Sequence, residues 1–436
     1  MKFSTTLATA SSLIASAYAA PAVRVRADDV NTATSSNSSM ALNGTVSLAQ
    51  TGSKGAAYFI TNDPSGNYIV TADINGDGSL TLANAVSTGG LGEHGNVTGA
   101  DPLFSQGAIV VNKKTNMVAT VNAGSNTISL FSIDPTSPST LTAVGAPVAS
   151  GGEFPQSVTF NDAGDKLCAL NGGSLDGVQC FWVNATTGLK SITNTHRWLG
   201  LNQSTPATGP AGTASQIIFS EDQTSVYAAV KGNPATNATG YIAAWDIAED
   251  GTMSEEFYRI TLPPGAALPF SLNYIPGSNG SLLVTDAAVG VDVFDFAQGL
   301  DAVASNRATL AYSIANQSAV CWAAWSNATG SFYVTDFNTG VVSEIAVDPT
   351  TLNMTFVADY YTQENAGLID LEVASIDGDD YLYVAMGGAA AIQVFSLPAP
   401  GQATKLQTVD LSGPAAAVGL PLTGENIQGM AVYVSQ

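Results

Sequence analysis

The chain has 436 residues, of which 35 are acidic and 13 are Lys or Arg, so its formal net charge at pH 7 is −22. Because phosphate binding requires clustered Lys and Arg, this balance excludes nucleic acid and anionic membrane surfaces as main partners. Hydrophobic residues make up 45% of the chain, which indicates a packed protein. The only histidines are His94 and His196, which argues against a His-rich zinc site. The sequence also has no dinucleotide or P-loop motif in a suitable context, and we expect no metal and no cofactor.

The first 20 residues have the features of a secretory signal peptide. Lys2 gives a positive start, an apolar run extends from Leu7 to Ala17, and Ala17-Tyr18-Ala19 forms a small-x-small cleavage site. The run is shorter than the ~20 residues that a transmembrane helix needs, and no later segment is long and apolar enough to span. We therefore expect a secreted, extracellular protein without a membrane span, with the cell wall as one candidate location.

Residues 21–54 are rich in Ser, Asn, Thr and Ala and poor in aromatic residues, which predicts a flexible leader. Sequons for N-glycosylation are frequent, as is typical of exported proteins, and each is expected on a surface loop. Their acceptor positions are Asn37, Asn43, Asn96, Asn184, Asn202, Asn237, Asn279, Asn316, Asn327 and Asn353.

From residue 55 the sequence repeats a unit of short strands with period-2 alternation of apolar residues. The third strand of successive units carries a large apolar residue, at Phe131, Phe181, Trp245, Phe294, Ile345 and Phe395. Four of the five steps between these positions are 49 to 51 residues long. A period near fifty in an all-β chain predicts propeller blades of four strands.

Counting units over residues 55–436 gives seven blades, the first of which has only three strands of its own. The chain contains one further strand, GMAVYV (429–434), after the seventh unit. We expect this strand to lie innermost in the first blade, where it would close the ring and remove sheet edges. The predicted fold is therefore an all-β, seven-bladed β-propeller, which we expect to be a monomer.

Several segments of these repeats resemble the lactonase-type seven-bladed β-propellers, which include 6-phosphogluconolactonases and the fungal 3-carboxymuconate lactonizing enzymes. The segments are YFITNDPSGN (58–67), TGG (88–90), SQGAIVVN (105–112), VNAGSNTISLFSID (121–134), GDKLCALN (164–171) and CWAAW (321–325). With the signal peptide and sequons, the chain looks like a secreted fungal branch. The resemblance implies a lactone hydrolase or muconate-type cyclase that acts on a small polyoxygenated or carboxylate compound in the central channel.

The reactive residues of that family have no match in this chain. Phosphogluconolactonases of this fold typically open the fourth inner strand with Pro-Arg-His and end the next strand with Glu, whereas the corresponding places here read Ala214-Ser215-Gln216 and Val230-Lys231. The His and Arg residues of the muconate-cyclizing relatives are not matched either. Two alternatives to an enzyme therefore stay open: a propeller that binds a small molecule or cell-wall glycan without turnover, and a noncatalytic surface glycoprotein that acts as an antigen or adhesin.

In a propeller blade, the first strand starts and the second strand ends at the same face, so these positions should surround one mouth of the channel. First strands place there Gln106, Gln156, Gln216, Ser271, Cys321, Asp370 and Gln428, and second strands place there Asn62, Asn122, Asn171, Lys231, Asp286 and Asp336. Side-chain amides both donate and accept hydrogen bonds, so this ring suits a neutral or weakly anionic lactone or carboxylate ligand. The residues predicted to bind it are Gln106, Asn122, Gln156, Gln216, Asp370 and Gln428.

Catalytic roles are predicted for four residues near this mouth. Lys231 would stabilise an oxyanion, and Asp286 or Asp336 would activate water. His94 lies in a Gly-rich connection, GGLGEHGNVTGAD (89–101), that is expected over the mouth, where it would serve as an acid–base or lid residue. The alternatives are that the ring residues satisfy one another, that Lys231 pairs with a neighbouring Asp, and that His94 only faces solvent.

Three cysteines and one acidic turn complete the candidate features. Cys168 and Cys180 are equally distant from Ser174, so hairpin register places them opposite each other and predicts a disulfide. Cys321 is left over, and we expect a buried, inert thiol. The segment Asp73–Gly78 resembles the start of a calcium loop but has Asn84 at position twelve, so we expect a hairpin turn there.

Overall fold

The computed structural model describes residues 39–41, 52–96, 99–296, 299–300, 303, 309–420 and 422–435. Its strands form seven antiparallel sheets in the order of the predicted blades. The inner strands are those that contact the inner strands of neighbouring blades, and they surround a central channel. The predicted seven-bladed all-β propeller is therefore confirmed.

The first blade joins the two ends of the described chain. Its strands are β1 (Ser39–Ala41), β2 (Gly55–Ile60), β3 (Tyr68–Ile74), β4 (Leu80–Ser87) and β30 (Gln428–Val434), in the sheet order β1-β4-β3-β2-β30. Strand β30 pairs with β2 in antiparallel register, with Gly55 opposite Val434 and Tyr58 opposite Ala431. The predicted closure by the C-terminal strand is thus confirmed. Strand β1 is an addition on the outer edge, within the segment that the sequence predicts as a leader.

The next three blades follow in chain order, each with its inner strand first. Blade 2 contains β5 (Ile109–Asn112), β6 (Met117–Asn122), β7 (Thr127–Asp134) and β8 (Ser137–Ala143), with the short β9 (Val148–Ala149) also paired to β7. Blade 3 contains β10 (Pro155–Phe160), β11 (Lys166–Asn171), β12 (Gly177–Asn184) and β13 (Gly188–Ser191). Blade 4 contains β14 (Ala214–Phe219), β15 (Ser225–Val230), β16 (Tyr241–Asp246) and β17 (Tyr258–Thr261).

The last three blades repeat this arrangement. Blade 5 contains β18 (Pro269–Tyr274), β19 (Leu282–Asp286), β20 (Gly290–Phe294) and β21 (Thr309–Ser313). Blade 6 contains β22 (Val320–Ser326), β23 (Ser331–Asp336), β24 (Val341–Val347) and β25 (Met354–Tyr361). Blade 7 contains β26 (Leu368–Ile376), β27 (Asp379–Met386), β28 (Ala391–Leu397) and β29 (Thr404–Asp410), and a short helix, α1 (Ser412–Ala417), leads from it to β30.

The large apolar residue that marks each third strand lies in the core between blades. Phe131, Phe181, Trp245, Phe294, Ile345 and Phe395 are all at most 2% exposed. Burying a side chain of this size contributes about 1.5–3 kcal/mol, and the fifty-residue period repeats that contribution around the ring. Among the described residues, no helix is long and apolar enough to cross a membrane.

The predicted disulfide is confirmed. Cys168 on β11 pairs directly with Cys180 on β12, and their sulfur atoms are bonded. Cys321 is buried, and burial raises the pKa of its thiol, which keeps it protonated and unreactive. The calcium-like segment forms the turn between β3 and β4, in which Ser79 donates two hydrogen bonds to Asp77. No group of three or more potential metal-ligating side chains occurs in the described part of the chain.

Candidate functional site

A short segment before β5 occupies the channel mouth for which the sequence predicts a ligand. Its residues Leu103, Phe104 and Ser105 are 0%, 2% and 0% exposed. Asp101 and Phe104 have positive φ angles of 60° and 56°, which fold the segment back on itself. We call residues 101–105 the plug.

Two of the polar residues predicted to bind a ligand, Gln156 and Gln428, bind the plug. Gln156 donates to the carbonyl oxygen of Leu103 at 2.6 Å, and Gln428 donates to the carbonyl oxygen of Ser105 at 3.0 Å. Gln428 also donates to the Asp101 carboxylate at 3.1 Å. Inner strands of blades 3 and 1 are thereby attached to the same segment. These two amides donate to groups of the protein itself, while the buried Oε1 atom of Gln156 has no partner in the described structure.

The loop that carries His94 lies over the plug. Gly95 donates a backbone hydrogen bond to Pro102 at 2.9 Å, and a Cβ atom at Gly95 or Gly209 would fall within 2.3–2.4 Å of the Phe104 ring. The mouth is therefore covered by a second layer of chain. Nε2 of His94 is buried and has no hydrogen-bond partner in the described part of the molecule. The acid–base role of His94 stays a prediction.

Lys231 is the cation of this end of the channel. Its ammonium group donates to the carbonyl oxygens of Phe104 at 2.8 Å and Ala214 at 2.9 Å, and it lies 4.7 Å from the centre of the Phe270 ring. No carboxylate among the described residues lies within 4.0 Å of it. Burial lowers the pKa of Lys231 and raises that of Asp101, while the attraction between the two opposes both shifts. Lys231 thus holds the plug, and its role toward an oxyanion stays a prediction.

Asp286 and Asp336, the predicted bases, occupy equivalent positions at the ends of β19 and β23. Both are fully buried and accept several hydrogen bonds from backbone amides, so each fixes the loop that leads into the inner strand of its own blade. The donors to Asp286 are Ala267, Leu268 and Ala288, and those to Asp336 are Ser318, Ala319, Asn338 and Thr339. A carboxylate held in this way is poorly placed to accept a proton from water. Catalysis by these two residues stays a prediction that the geometry does not favour.

Asn122 and Asp370 also bond within the protein. Asn122 donates to the hydroxyl groups of Thr127 at 3.1 Å and Ser129 at 2.9 Å. Asp370 accepts from the backbone amide of Met430 at 3.0 Å, which fastens β30 to blade 7. Ligand binding by these side chains would require them to exchange these partners.

On the other side of the plug, the channel holds a cavity of ≈ 490 Å³. The inner strands of blades 1, 2, 3, 4 and 7 all line it, so it lies on the propeller axis. Gln106 and Gln216 lie toward the plug, because Gln106 directly follows it and its backbone amide donates to the carbonyl oxygen of Ser215, the neighbour of Gln216, at 3.1 Å. Glu372 also lines the cavity. At the outer end, Lys113, Lys114 and Asp162 are exposed, and they form the entrance.

Polar groups without protein partners meet at the closed end of this cavity. Gln106 donates to the carbonyl oxygen of Ala323 at 3.2 Å, but its buried Oε1 atom has no partner in the described structure. Gln216 accepts from the amide of Leu272 at 2.6 Å, and none of the described residues accepts from its Nε2 atom. Gln106 and Gln216 are predicted ligand residues that remain able to bind a ligand, since one offers an acceptor and the other a donor.

Glu372 is the cavity residue that sequence reasoning missed. It lies on β26, where the backbone amide of Val373 donates a hydrogen bond to it and no side chain in the described structure does. Burial raises its pKa to about 7, against the attraction of Lys113, so the group gains and loses its proton near neutral pH. The sequence does offer a signal, because Glu372 interrupts the apolar pattern of an inner strand, LIDLEVASI (368–376).

Part of the sequence matches a known family of propellers. Residues 51–198 match the family model described as "Lactonase, 7-bladed beta-propeller". The matched residues make up about a third of the chain. The resemblance to lactonase-type seven-bladed propellers that was inferred from the sequence is therefore confirmed, while the secreted fungal branch stays a prediction. None of the curated proteins matches the sequence.

Solved structures agree with this fold. The periplasmic gluconolactonase of Pseudomonas aeruginosa has a TM-score of 0.61 and 16% identity, covering 87% of this chain and 100% of its own. A putative 6-phosphogluconolactonase from Bacteroides fragilis has a TM-score of 0.57 and 15% identity, covering 89% of this chain and 99% of its own. A Lactobacillus plantarum protein has a TM-score of 0.59 and 12% identity, covering 87% and 99%. At these identities the similarity establishes the fold, while the chemistry depends on the site.

Proposed function

We propose that this protein is a secreted, lactonase-like enzyme that hydrolyses or forms a lactone of a small polyoxygenated or carboxylate compound in the open cavity of its channel. The observation that carries the proposal is this cavity, which Gln106, Gln216 and Glu372 line with polar groups that no side chain of the described structure binds. The buried Oε1 atom of Gln106 has no partner there, and buried polar groups are usually satisfied, so the cavity favours a ligand that supplies the missing hydrogen bond.

The walls of the cavity fit a small oxygen-rich molecule. Between the polar closed end and the entrance, the lining includes Ile109, Val111, Met430 and Val432. A volume of ≈ 490 Å³ lies within the range of small-molecule sites. Apolar walls would exclude bulk water from a bound lactone, while the amides would bind its hydroxyl and carbonyl oxygens.

Secretion is supported by features of the surface and by the disulfide. Every sequon asparagine that the structure describes is exposed, namely Asn96, Asn184, Asn202, Asn237, Asn279, Asn316, Asn327 and Asn353. Asn37 and Asn43 lie outside the described side chains. A bonded Cys168–Cys180 pair is typical of oxidising compartments. A fungal origin and a place in the cell wall remain part of this proposal.

The alternative is a noncatalytic extracellular or cell-wall glycoprotein on the same fold, acting by ligand binding or as an antigen or adhesin. Two observations favour it. The plug occupies the mouth that the sequence predicts to be reactive, and backbone amides surround Asp286 and Asp336. In this reading the cavity binds its ligand without turnover, and a cell-wall glycan is a further candidate partner.

One experiment separates these functions. Purified secreted protein is incubated with aldonolactones, aromatic lactones and muconolactones while proton release is recorded, and binding of the same lactones and their hydroxy acids is measured by calorimetry. Catalysed proton release supports the enzyme, whereas binding without release supports the alternative. Gln216→Leu should weaken binding about tenfold, because it removes one hydrogen-bonding amide. Gln402→Leu, on the exposed surface, is the matched control.

If no member of the panel binds or reacts, the lactonase proposal fails. Binding to suspended cell-wall polysaccharide would then support the adhesin reading, and it should survive the Gln216→Leu substitution if the glycan contacts the outer surface.

A further inference from the structure

We infer that Glu372 is the catalytic proton-transfer residue of the cavity, which takes a proton from the attacking water and returns it to the departing ring oxygen. The inference rests on the proposed lactone chemistry. Geometry carries it: Glu372 lies on the inner strand β26 and lines the cavity together with Gln106 and Gln216, each of which has one amide atom without a protein partner in the described structure.

Other buried acids of the channel are occupied. Asp286 accepts from three backbone amides, Asp370 accepts from the amides of Leu371 and Met430, and Asp101 accepts from Gln428 and from the amide of Ser105. Glu372 has a single donor in the described structure, the adjacent backbone amide of Val373, and it differs from these acids because it lines a cavity large enough for a substrate and a water molecule.

The groups that face Glu372 come from several elements. Its charged and titratable neighbours are Lys113 and Lys114 before β6, Asp162 after β10, Asp370 on its own strand and Tyr383, its partner residue on β27. Tyr383 is buried and donates its hydroxyl to Gly78 at 3.0 Å, so it does not bond to Glu372. The adjoining inner strands β22 (VCWAAWS) and β30 (QGMAVYV) contribute no charged side chain.

Of these neighbours, Lys113 is the cation that lowers the pKa of Glu372, and burial, the larger effect, raises that pKa to about 7. Burial and, as the smaller effect, the charge of Glu372 raise the pKa of Asp370, which keeps that neighbour protonated and leaves Glu372 as the carboxylate of the pair. A base with a pKa near neutral is both ionised at working pH and strong enough to accept a proton.

The step balances without a metal or redox partner. Ionised Glu372 removes a proton from water as the hydroxide oxygen bonds to the lactone carbonyl carbon. The oxyanion that forms accepts a hydrogen bond from Nε2 of Gln216. The bond between the carbonyl carbon and the ring oxygen then breaks, and the ring oxygen takes the proton from Glu372, which yields the open hydroxy acid and regenerates the carboxylate. Lactone formation is the reverse.

Glu372→Gln tests this role, since it keeps the size and polarity of the side chain but cannot accept a proton. With a lactone that the wild-type protein turns over, we expect kcat to fall about 100-fold or more with KM within about threefold, and an unchanged melting temperature. Glu372→Asp should retain part of the activity. A Glu372→Gln variant whose kcat stays within threefold of wild type overturns the inference while the proposed function stands.

The pH profile supplies an independent readout with a matched pair of lysines. For the wild type, kcat/KM should fall below an apparent pKa near 7, because protonated Glu372 cannot act as a base. Lys113→Ala removes the cation that lowers this pKa, so the midpoint should rise by a few tenths of a pH unit or more. Lys114→Ala, the adjacent exposed lysine, should move the midpoint less. A midpoint that shifts equally in both variants, or in neither, contradicts the assignment.

Failure of the proposed function is distinguishable from failure of this inference. If the wild-type protein turns over no lactone, the proposed function is overturned and Glu372 loses its catalytic role with it. If turnover occurs and survives Glu372→Gln, only the inference is overturned.

Discussion

The ammonium nitrogen of Lys231 lies 2.8 Å from the carbonyl oxygen of Phe104, and this hydrogen bond ties the plug to the end of β15. A second bond, to Ala214, ties the same group to the inner strand of blade 4. One buried cation therefore connects the sealed mouth to the propeller wall, which makes the plug part of the folded core.

Lys231→Met should destabilise the protein by about 2–3 kcal/mol. Met fills a similar volume but leaves the Phe104 and Ala214 carbonyls without a donor, and it removes the cation that attracts Asp101. Urea unfolding followed by fluorescence measures the change. The exposed Lys190→Met is the control and should stay within about 0.5 kcal/mol of wild type. If the two variants unfold at the same urea concentration, Lys231 does not hold the plug.

Gly95→Ala should loosen the cover over the plug. Its Cβ would lie 2.3 Å from the buried Phe104 ring, so either the ring or the loop must move, and a loss of about 1–3 kcal/mol is expected. Limited proteolysis and thermal melting report this change. Gly66→Ala is a suitable control, because its nearest new contact is at an ordinary 3.5 Å from Tyr68. Equal melting temperatures for both variants would show that the cover tolerates the extra methyl group.

Asp292→Asn should make stability less dependent on pH. The carboxyl group of Asp292 is buried, and no donor in the described structure reaches it. Burial and the charge of Asp286 raise its pKa to about 9. The folded protein therefore keeps this proton while the unfolded chain, with a pKa near 3.9, has lost it. Stability contributed by this group is complete at low pH and falls as pH rises toward 9.

The difference between wild type and Asp292→Asn isolates this group from the other acids with raised pKa values. Asn keeps the shape and can donate to Asp286 without ionising, so the variant should gain stability relative to wild type on going from pH 5 to pH 9. Urea unfolding at both pH values tests the sign. If the difference in unfolding free energy between the variant and the wild type does not grow with pH, Asp292 is ionised in the folded protein.

Removal of the disulfide should cost about 2–3 kcal/mol. The bond closes the loop between Cys168 and Cys180, which are 12 residues apart, and so restricts the unfolded chain. The Cys168→Ala/Cys180→Ala double variant should melt at a lower temperature than wild type and should no longer respond to reductant. Cys321→Ala provides the comparison, since it should keep the reductant response. A double variant as stable as wild type would show that β11 and β12 pair without help from the bond.

The sequence predicts most of the fold because propeller blades are local structures. Phe131 and its equivalents recur at a nearly fixed period, and each blade contacts mainly its neighbours, so the count of seven follows from the repeats. The Cys168–Cys180 bond follows from hairpin register in the same way. Innermost pairing of GMAVYV with β2 follows from the missing strand of the first blade.

The sequence could not predict that the plug fills one mouth of the channel, because this depends on contacts between distant parts of the chain. Gln156, Lys231 and Gln428 do lie together at one mouth, as the strand positions predict. The plug, a segment of the chain, fills that mouth and bonds to all three side chains. Left-handed conformations at Asp101 and Phe104 turn the plug inward, and no periodic pattern signals them.

The sequence by itself determined the number of blades, the ring closure, the disulfide and the polar character of the channel, because strand period and hairpin register act over short distances. Only the tertiary structure decided which end of the channel is closed and which residues keep free polar atoms. Gln106, Gln216 and Glu372 come from three different blades, and they line one cavity only once the ring has assembled. Partnering of buried polar groups is a property of the assembled interior, and it therefore has no signature in any single segment.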